Sequence, residues 1–487
     1  MAKGAAWMVL FKFCEKGLGL ISTVILARLL LPADFGLVAM AMSVIAILEL
    51  MNAFNFDIAL IQKQDADRSY YDTAWTLNVL LGLAAAVGLA VLAAPTARFY
   101  DEPRLNAVIL VLAISTLVRG FENVGVVAFR KQMEFNKEFA FRLVRKLAGF
   151  VVAVPLAFAL RNYWALVAGM VVSTIASVGL SFVVHPYRPR LALSAGRDLM
   201  TFSKWIMFNL VLRVVNERFA YFVIGKLSGA RGLGLFTMGY EISNLPTTEL
   251  VAPINRAVYP GYAKLSKDLA LLRESYLNVV SLIALLALPA AAGIAALASL
   301  LVPVFLGQDW IEIVPVMRLL GAYGALMSLQ SNVYSAFVAL GRPNVMTWLA
   351  VLRLAAMIPL VGALTYHYGV IGASWAYLIA NSILLVANYG LMFRTLGLPL
   401  GHFLDKMWRP PLAAVIMYVT VDRLVKHLVS SEVPQTFQLA LAVVVGVVVY
   451  VGLVFGLWLL SGRPAGAERA VLKQVRAVVG RRFAGRS

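Results

Sequence analysis

The chain holds one cysteine, Cys14, and four histidines, His185, His367, His402 and His427. A single thiol excludes a disulfide scaffold and any cysteine-based metal centre. No histidine lies near another in the sequence, and none has ligand spacing with a cysteine. There is no phosphate-cradling loop with its lysine, so no nucleotide triphosphate site is encoded. The glycines from Gly229 to Gly234 follow a helical pattern rather than a strand, which argues against a dinucleotide fingerprint. Charge is also scarce, at 14% of residues against about 25% in a soluble chain. No polar stretch is long enough to hold an inserted catalytic domain, and no cofactor is implied. Lys12, Glu15 and Lys16 interrupt the first apolar run, so a cleavable signal peptide is not expected.

What is abundant is apolar surface. Hydrophobic residues make up 61% of the 487, and the mean hydropathy is +0.83. Runs of about 20 apolar residues, long enough to cross a bilayer, fall near 6–31, 36–62, 74–95, 105–128, 143–160, 164–184, 202–225, 233–259, 277–300, 313–340, 345–366, 370–393, 409–428 and 437–460. The fold class expected is an all-α polytopic membrane protein of about 14 transmembrane helices. The formal charge of +19 would suggest nucleic acid in a soluble protein; here its placement explains it. With both termini cytoplasmic, the inward connections and tail carry 28 Lys and Arg and the outward ones seven. That is a positive-inside bias, and nucleic acid is not an expected partner.

The chain is organised around residues 213–262. An apolar helix carrying Arg213, Asn216, Glu217 and Arg218 is expected to break within Gly225–Gly232. A second helix then carries Glu241, Glu249 and Arg256, with Pro246, Pro253 and Pro260 seven apart on nearly one face. Bent helices of this kind line transport paths. The stretch also has an echo. Arg28, Gly36-Leu37 and Met40 recur 198 positions later as Lys226, Gly234-Leu235 and Met238. The chain therefore reads as a six-helix lobe at 1–195 and a second at 196–398, related by a parallel pseudo-repeat. Two additional helices at 399–462 and a basic tail at 463–487 follow, the tail with one apolar face over 471–483 suited to anionic lipid.

A charge in hydrocarbon costs about 2.5–3.5 kcal/mol on insertion scales, so charges within spans face a cavity or a partner. Lys12 and Lys16 share a face of the first span. Arg213 and Arg218 lie on the seventh, its equivalent in the second half. Cations outnumber Glu15 and Glu217 there, so this set, with Arg119 of the fourth span, is the candidate anion site, suited to phosphate or pyrophosphate. Arg119 with Glu122, Arg28, Arg318 and Arg353 admit a second reading as ion pairs or as side chains reaching an interface. Glu241 and Glu249, eight apart, are candidates for ion coupling. No metal ligand set is expected.

Ala27-Arg28-Leu29-Leu30-Leu31-Pro32-Ala33-Asp34-Phe35-Gly36-Leu37 resembles a signature of Wzx-type oligosaccharide flippases. So do Asn216-Glu217-Arg218, Ile224 to Ala230 and Phe129-Arg130-Lys131-Gln132-Met133-Glu134-Phe135. The resemblance covers most of the chain, weakens after residue 400, and is nearest to colanic-acid and xanthan exporters of the polysaccharide transporter family. Glu217 stands where many relatives are expected to hold Asp. The resemblance implies the multidrug/oligosaccharidyl-lipid/polysaccharide exporter fold and movement of an undecaprenyl-pyrophosphate-linked oligosaccharide across the bacterial inner membrane. A polysaccharide polymerase and co-polymerase are implied as partners. It implies no catalytic residues. A cation-coupled multidrug exporter, which would want an acidic cavity, and a non-transporting scaffold subunit are the alternatives.

Overall fold

The computed structural model describes residues 2–48, 67–429, 432–464 and 466–469, together with 56, 60, 61, 63 and 472; for 2–15, 197–213, 343 and 429 it describes the backbone alone. Among these residues the protein is helical, without strands. The helices are α1 (Ala2–Leu29), α2 (Pro32–Leu48), α3 (Arg68–Tyr100), α4 (Arg104–Gly120), the short α5 (Val127–Lys131), α6 (Phe135–Leu160), α7 (Trp164–Val184) and α8 (Gly196–Ser243). A π-turn at Pro246–Val251 leads to α9 (Ala252–Leu265), followed by α10 (Leu269–Leu301), α11 (Ile313–Ala339), α12 (Pro343–Leu396), α13 (Leu400–Met407), α14 (Arg409–Val429) and α15 (Gln435–Leu460). Among the described residues, seven helices are long and apolar enough to cross a membrane by length and composition. Arg104–Gly120 with Val124–Lys131, bent by 67°, makes an eighth if that pair is one span.

Two helices are too long to be single spans. At 1.5 Å per residue, the 48 residues of α8 and the 54 of α12 would each be about twice the hydrocarbon thickness. Each is interrupted by one glycine: Gly229 (φ 67°, ψ −174°) in α8 and Gly369 (φ 57°, ψ −141°) in α12. These are conformations open essentially to glycine alone. The α12 interruption is a tight reversal, because a Cβ on Gly372 would lie 1.9 Å from the Leu364 carbonyl oxygen across the turn. The α8 break falls inside the expected Gly225–Gly232 window.

The chain forms two compact units, Met1–Gly234 and Leu235–Ser487. This packing boundary is distinct from the repeat boundary at 195. In the first unit, helices meet through small residues, as membrane helices do. A Cβ on Gly149 would lie 2.9 Å from the Gly169 oxygen, and one on Gly120 3.0 Å from the Asn78 oxygen. The closest approach joins the two repeats. A Cβ on Gly36 would meet Ala230 O at 1.7 Å, and a Cβ on Gly234 would meet Pro32 O at 1.8 Å. Pro32 and Ala230 are themselves 198 apart, as are Gly36 and Gly234. Each residue therefore touches the equivalent of its own partner, the signature of a contact across a twofold. The flippase-like signature is architectural here: buried Asp34 accepts from Leu31 N and Tyr163 N, each at 3.0 Å, tying the α1–α2 turn to the start of α7.

The segment from His185 to Ala195, which links the repeats, is stitched to the first turns of α3. Asp72 accepts from Arg190 N at 3.0 Å and from the Tyr187 hydroxyl, while Thr76 accepts from Ala192 N at 3.0 Å and Thr73 from Ala195 N at 3.3 Å. In the second unit, α14 and α15 lie against α10, with Met417, Val421, Leu439 and Tyr450 in one core with Tyr276, Val280 and Ala284. Asp422, a charge within the expected span 409–428, is paired with Arg318 of α11 at 3.2 Å and with Lys426 at 2.7 Å. Just past α15, Glu468 and Arg409 form a fully buried ion pair at 3.4 Å. The amphipathic tail expected over 471–483 lies outside the described residues, Leu472 excepted.

Candidate functional site

The expected anion site is only partly in view. The side chains of Lys12 and Arg213 lie outside the described residues. Lys16 is exposed on α1. Arg218, in the first arm of α8, is half-buried with its guanidinium 5.5 Å from the Tyr221 ring centre, and it makes no ion pair with a carboxylate among the described residues. An aromatic face stabilises a cation without neutralising it, so Arg218 keeps its charge available to a ligand. Arg28 is exposed in the last turn of α1, the position from which a long side chain reaches an interface.

Arg119 is the fourth-span member of the expected set. It lies at the end of α4 beside a cavity of about 430 Å³ within the first unit, whose wall also includes Glu122, Arg130, Glu138, Arg142 and Arg145. Three of these come from α6, at its N-terminal end, where positions 138, 142 and 145 share one face. Arg130 comes from α5. The geometry follows from the bend between α4 and α5: Asn123 caps the turn by accepting from Gly125 N at 2.8 Å, and its side-chain amide donates to Tyr187 O at 2.7 Å. Glu138 bridges Arg142 at 2.6 Å and Arg130 at 3.3 Å.

Glu241 and Glu249, the coupling candidates, are both exposed. Their helical spacing is not maintained, because Glu249 lies within the π-turn at Pro246–Val251. Pro253 cannot donate to the carbonyl of Glu249, which is a recognised cause of such local widening. A cluster not anticipated from sequence lies in the second unit. Tyr240, Tyr323 and Tyr377 pack with ring centres 5.4–5.8 Å apart, and Arg353 donates to the Tyr323 hydroxyl at 3.3 Å. Its members come from α8, α11 and α12, and no local motif announces them.

Outside the spans, His185 sits against Phe129 with ring centres 5.8 Å apart and accepts from Tyr187 N at 3.2 Å. Burial, with Lys137 and Arg188 nearby, holds its pKa below the usual value. Among the described residues no group of three or more His, Cys, Asp or Glu is placed to hold a metal ion.

Residues 25–315 match the polysaccharide biosynthesis protein family. The chain belongs to that family. It is 24% identical over 416 residues, 84% of each chain, to the lipopolysaccharide biosynthesis protein WzxC of Escherichia coli strain K12. It is 24% identical over 456 residues, 93% of this chain and 92% of the other, to the succinoglycan biosynthesis transport protein ExoT of Rhizobium meliloti strain 1021. Among solved structures, the lipid II flippase MurJ in an inward closed conformation aligns with a TM-score of 0.72, covering 92% of this chain and 99% of that one. At 13% identity this likeness shows the fold alone. The chain is thus an all-helical member of this polysaccharide biosynthesis family, with the fold of that flippase and several helices apolar and long enough to cross a membrane.

Proposed function

We propose that this family member flips an undecaprenyl-pyrophosphate-linked oligosaccharide from the cytoplasmic to the periplasmic leaflet of the bacterial inner membrane, by alternating access. The observation that carries the reading is Arg218, a half-buried cation in a membrane helix with an aromatic neighbour and no carboxylate partner among the described residues. A glycan on a pyrophosphate cannot cross about 30 Å of hydrocarbon unaided. A wet, cationic surface on α1 and α8 would hold the pyrophosphate through charge-assisted bonds, while the prenyl chain stays in lipid. Lys12, Lys16, Arg213 and Arg218 are the proposed ligands, with Arg218 ranked first. The family's sugar-polymer exporters support the substrate class. On this reading 1–195 and 196–398 are the alternating lobes, both termini are cytoplasmic, and a polymerase with its co-polymerase receives the product. Glu241 and Glu249 are the proposed coupling carboxylates, and Glu→Gln at both that leaves export and its pH dependence unchanged removes them from that role.

The test is export in a flippase-deleted strain whose glycan this chain moves. A charge-assisted bond contributes about 1.5–3 kcal/mol, so its loss weakens binding by roughly 10- to 150-fold. Lys16→Ala and Arg218→Ala are expected to reduce export without loss of protein from the membrane. Arg218→Lys retains part of it, since charge persists while bidentate geometry is lost. Normal expression and parental export in both single variants and their double would refute the cationic-site mechanism.

A further inference from the structure

The cavity at the α4–α6 end of the first unit has a use that the α1–α8 cations do not cover. Arg119, Arg130, Arg142 and Arg145 line it against two carboxylates, Glu122 and Glu138. Glu138 is shared between Arg130 and Arg142, and one carboxylate cannot neutralise two guanidinium groups. Arg145 lies three residues beyond Arg142 on the same helical face. It is half-buried, and its guanidinium makes no hydrogen bond or ion pair among the described residues; beyond the helix, its carbonyl accepts from the Ser173 hydroxyl at 3.2 Å. A half-buried guanidinium in this setting, beside a cavity with an excess of cations, is chemically suited to an anionic ligand. The volume of about 430 Å³ lies within the range of sites that enclose a small ligand, about 300–1,000 Å³.

The walls are built rather than incidental. Gly82 and Gly120 bring α3 and α4 together, a Cβ on Gly82 lying 3.1 Å from Gly120 Cα. The α4–α5 bend turns Arg130 back toward α6. Glu138 fixes Arg130 and Arg142 in a fork, and Arg119 and Arg145 line the same wall. Asn123, on the same wall, holds the segment that links the two repeats.

We propose that this cavity is a second anion site, for the phosphate or pyrophosphate group of a lipid headgroup, separate from the cations of α1 and α8. Four guanidinium groups in a concave wall suit a phosphorus oxyanion because each can donate two parallel N–H bonds to its oxygens. The cation distribution puts this end of the unit on the cytoplasmic side, where a lipid-linked substrate would be loaded. The assignment to a lipid headgroup rests on the flippase reading; the anion site itself does not.

The test uses the full chain in nanodiscs, with inorganic pyrophosphate as probe and binding read by calorimetry. Pyrophosphate is expected to bind saturably in neutral-lipid nanodiscs. Arg145→Ala and Arg119→Ala are each expected to weaken it about 10- to 150-fold, with Arg145→Lys between them and the parent. Because Arg218 is itself a proposed pyrophosphate ligand, the titration is repeated in an Arg218→Ala background: saturable binding that persists there and is weakened by adding Arg145→Ala separates this site from the α1–α8 mechanism, and binding abolished by Arg218→Ala alone overturns the proposal. Repeating the titration with anionic lipid distinguishes the sources. Unchanged affinity assigns the site to a substrate pyrophosphate, and weakened affinity assigns it to bulk headgroups competing for the same arginines. Pyrophosphate that fails to bind in neutral lipid, or that binds Arg145→Ala and Arg119→Ala as tightly as the parent, overturns the proposal.

Discussion

The crossing of α2 with the second arm of α8 makes a quantitative demand on two glycines. An added Cβ at Gly36 would lie 1.7 Å from Ala230 O, and one at Gly234 1.8 Å from Pro32 O. Cβ atoms essentially never approach a heavy atom closer than 3.0 Å, so either alanine forces the helices apart by more than an ångström. The obstacle is backbone in both cases and cannot rotate away. Overpacking costs about 1–3 kcal/mol and sometimes more, and a backbone clash belongs at the upper end. Helix propensity returns at most about 1 kcal/mol of this. We expect Gly36→Ala and Gly234→Ala each to cost about 2–3 kcal/mol, measured as loss of thermal stability of the detergent-purified protein. The two obstacles are equivalents across a twofold, so the losses should match. Once the helices have moved for the first alanine, the second meets less resistance, and the double variant should fall short of additivity by about 1 kcal/mol or more. Gly452→Ala, in α15 with nothing within 4 Å of its Cβ, is the control and should be neutral or stabilising. Two tolerated alanines, or full additivity in the double variant, would refute the symmetric contact.

Gly229→Ala isolates backbone strain, since open space surrounds its Cβ while φ is +67° and ψ −174°. The expected cost is about 1–3 kcal/mol, read by the same melt. A melting temperature equal to the parent would mean that α8 does not break there. His185 gives a pH prediction. Its pKa is depressed chiefly by burial, so the contribution to stability is complete above the ordinary value of about 6.5 and is lost as the pH falls below it, when the unfolded or opened state takes the proton more readily. Hydrogen exchange across 185–195 should therefore be slower at pH 7.5 than at pH 5.5 beyond the intrinsic dependence, and His185→Gln should flatten the difference. An unaltered difference in that variant would remove His185 as its cause.

Much of the architecture is legible in the sequence because one local property decides it. Apolar length placed the helices, and the small-residue run around Gly229 placed the break in α8, where glycine is needed for a positive φ. The 198-residue echo marked Gly36 and Gly234, and the backbones meet closely at these two glycines. What could not be read is convergence. Asp422 looked like a defect in a span until α11 supplied Arg318, 104 residues away. The tyrosines at 240, 323 and 377 share no motif, and a helix-wheel reading of Glu241 with Glu249 assumed a regular helix where a π-turn stands. The signature residue Asp34 announced a family, but its bonds to Leu31 and Tyr163 show a structural role.

The same convergence sorts the cations, which sequence could only tabulate. Arg318, Arg409, Arg130 and Arg142 each have a carboxylate within 3.4 Å, and a paired charge removed from water is retained for structure. Arg145, Arg218 and Arg353 have none among the described residues; the first has no side-chain partner, and the other two have only aromatic or phenolic neighbours. Deep in a membrane protein such a charge is costly, whether the cost is about 3 kcal/mol or several times that. Water in an open cavity lowers the cost, and an anionic ligand lowers it further. A chain that needed these positions only for packing would do better with leucine, which removes the cost altogether. The arginines that lack carboxylates are therefore where the chemistry of an anionic cargo is to be sought, and the paired ones are where substitutions should change stability before they change transport.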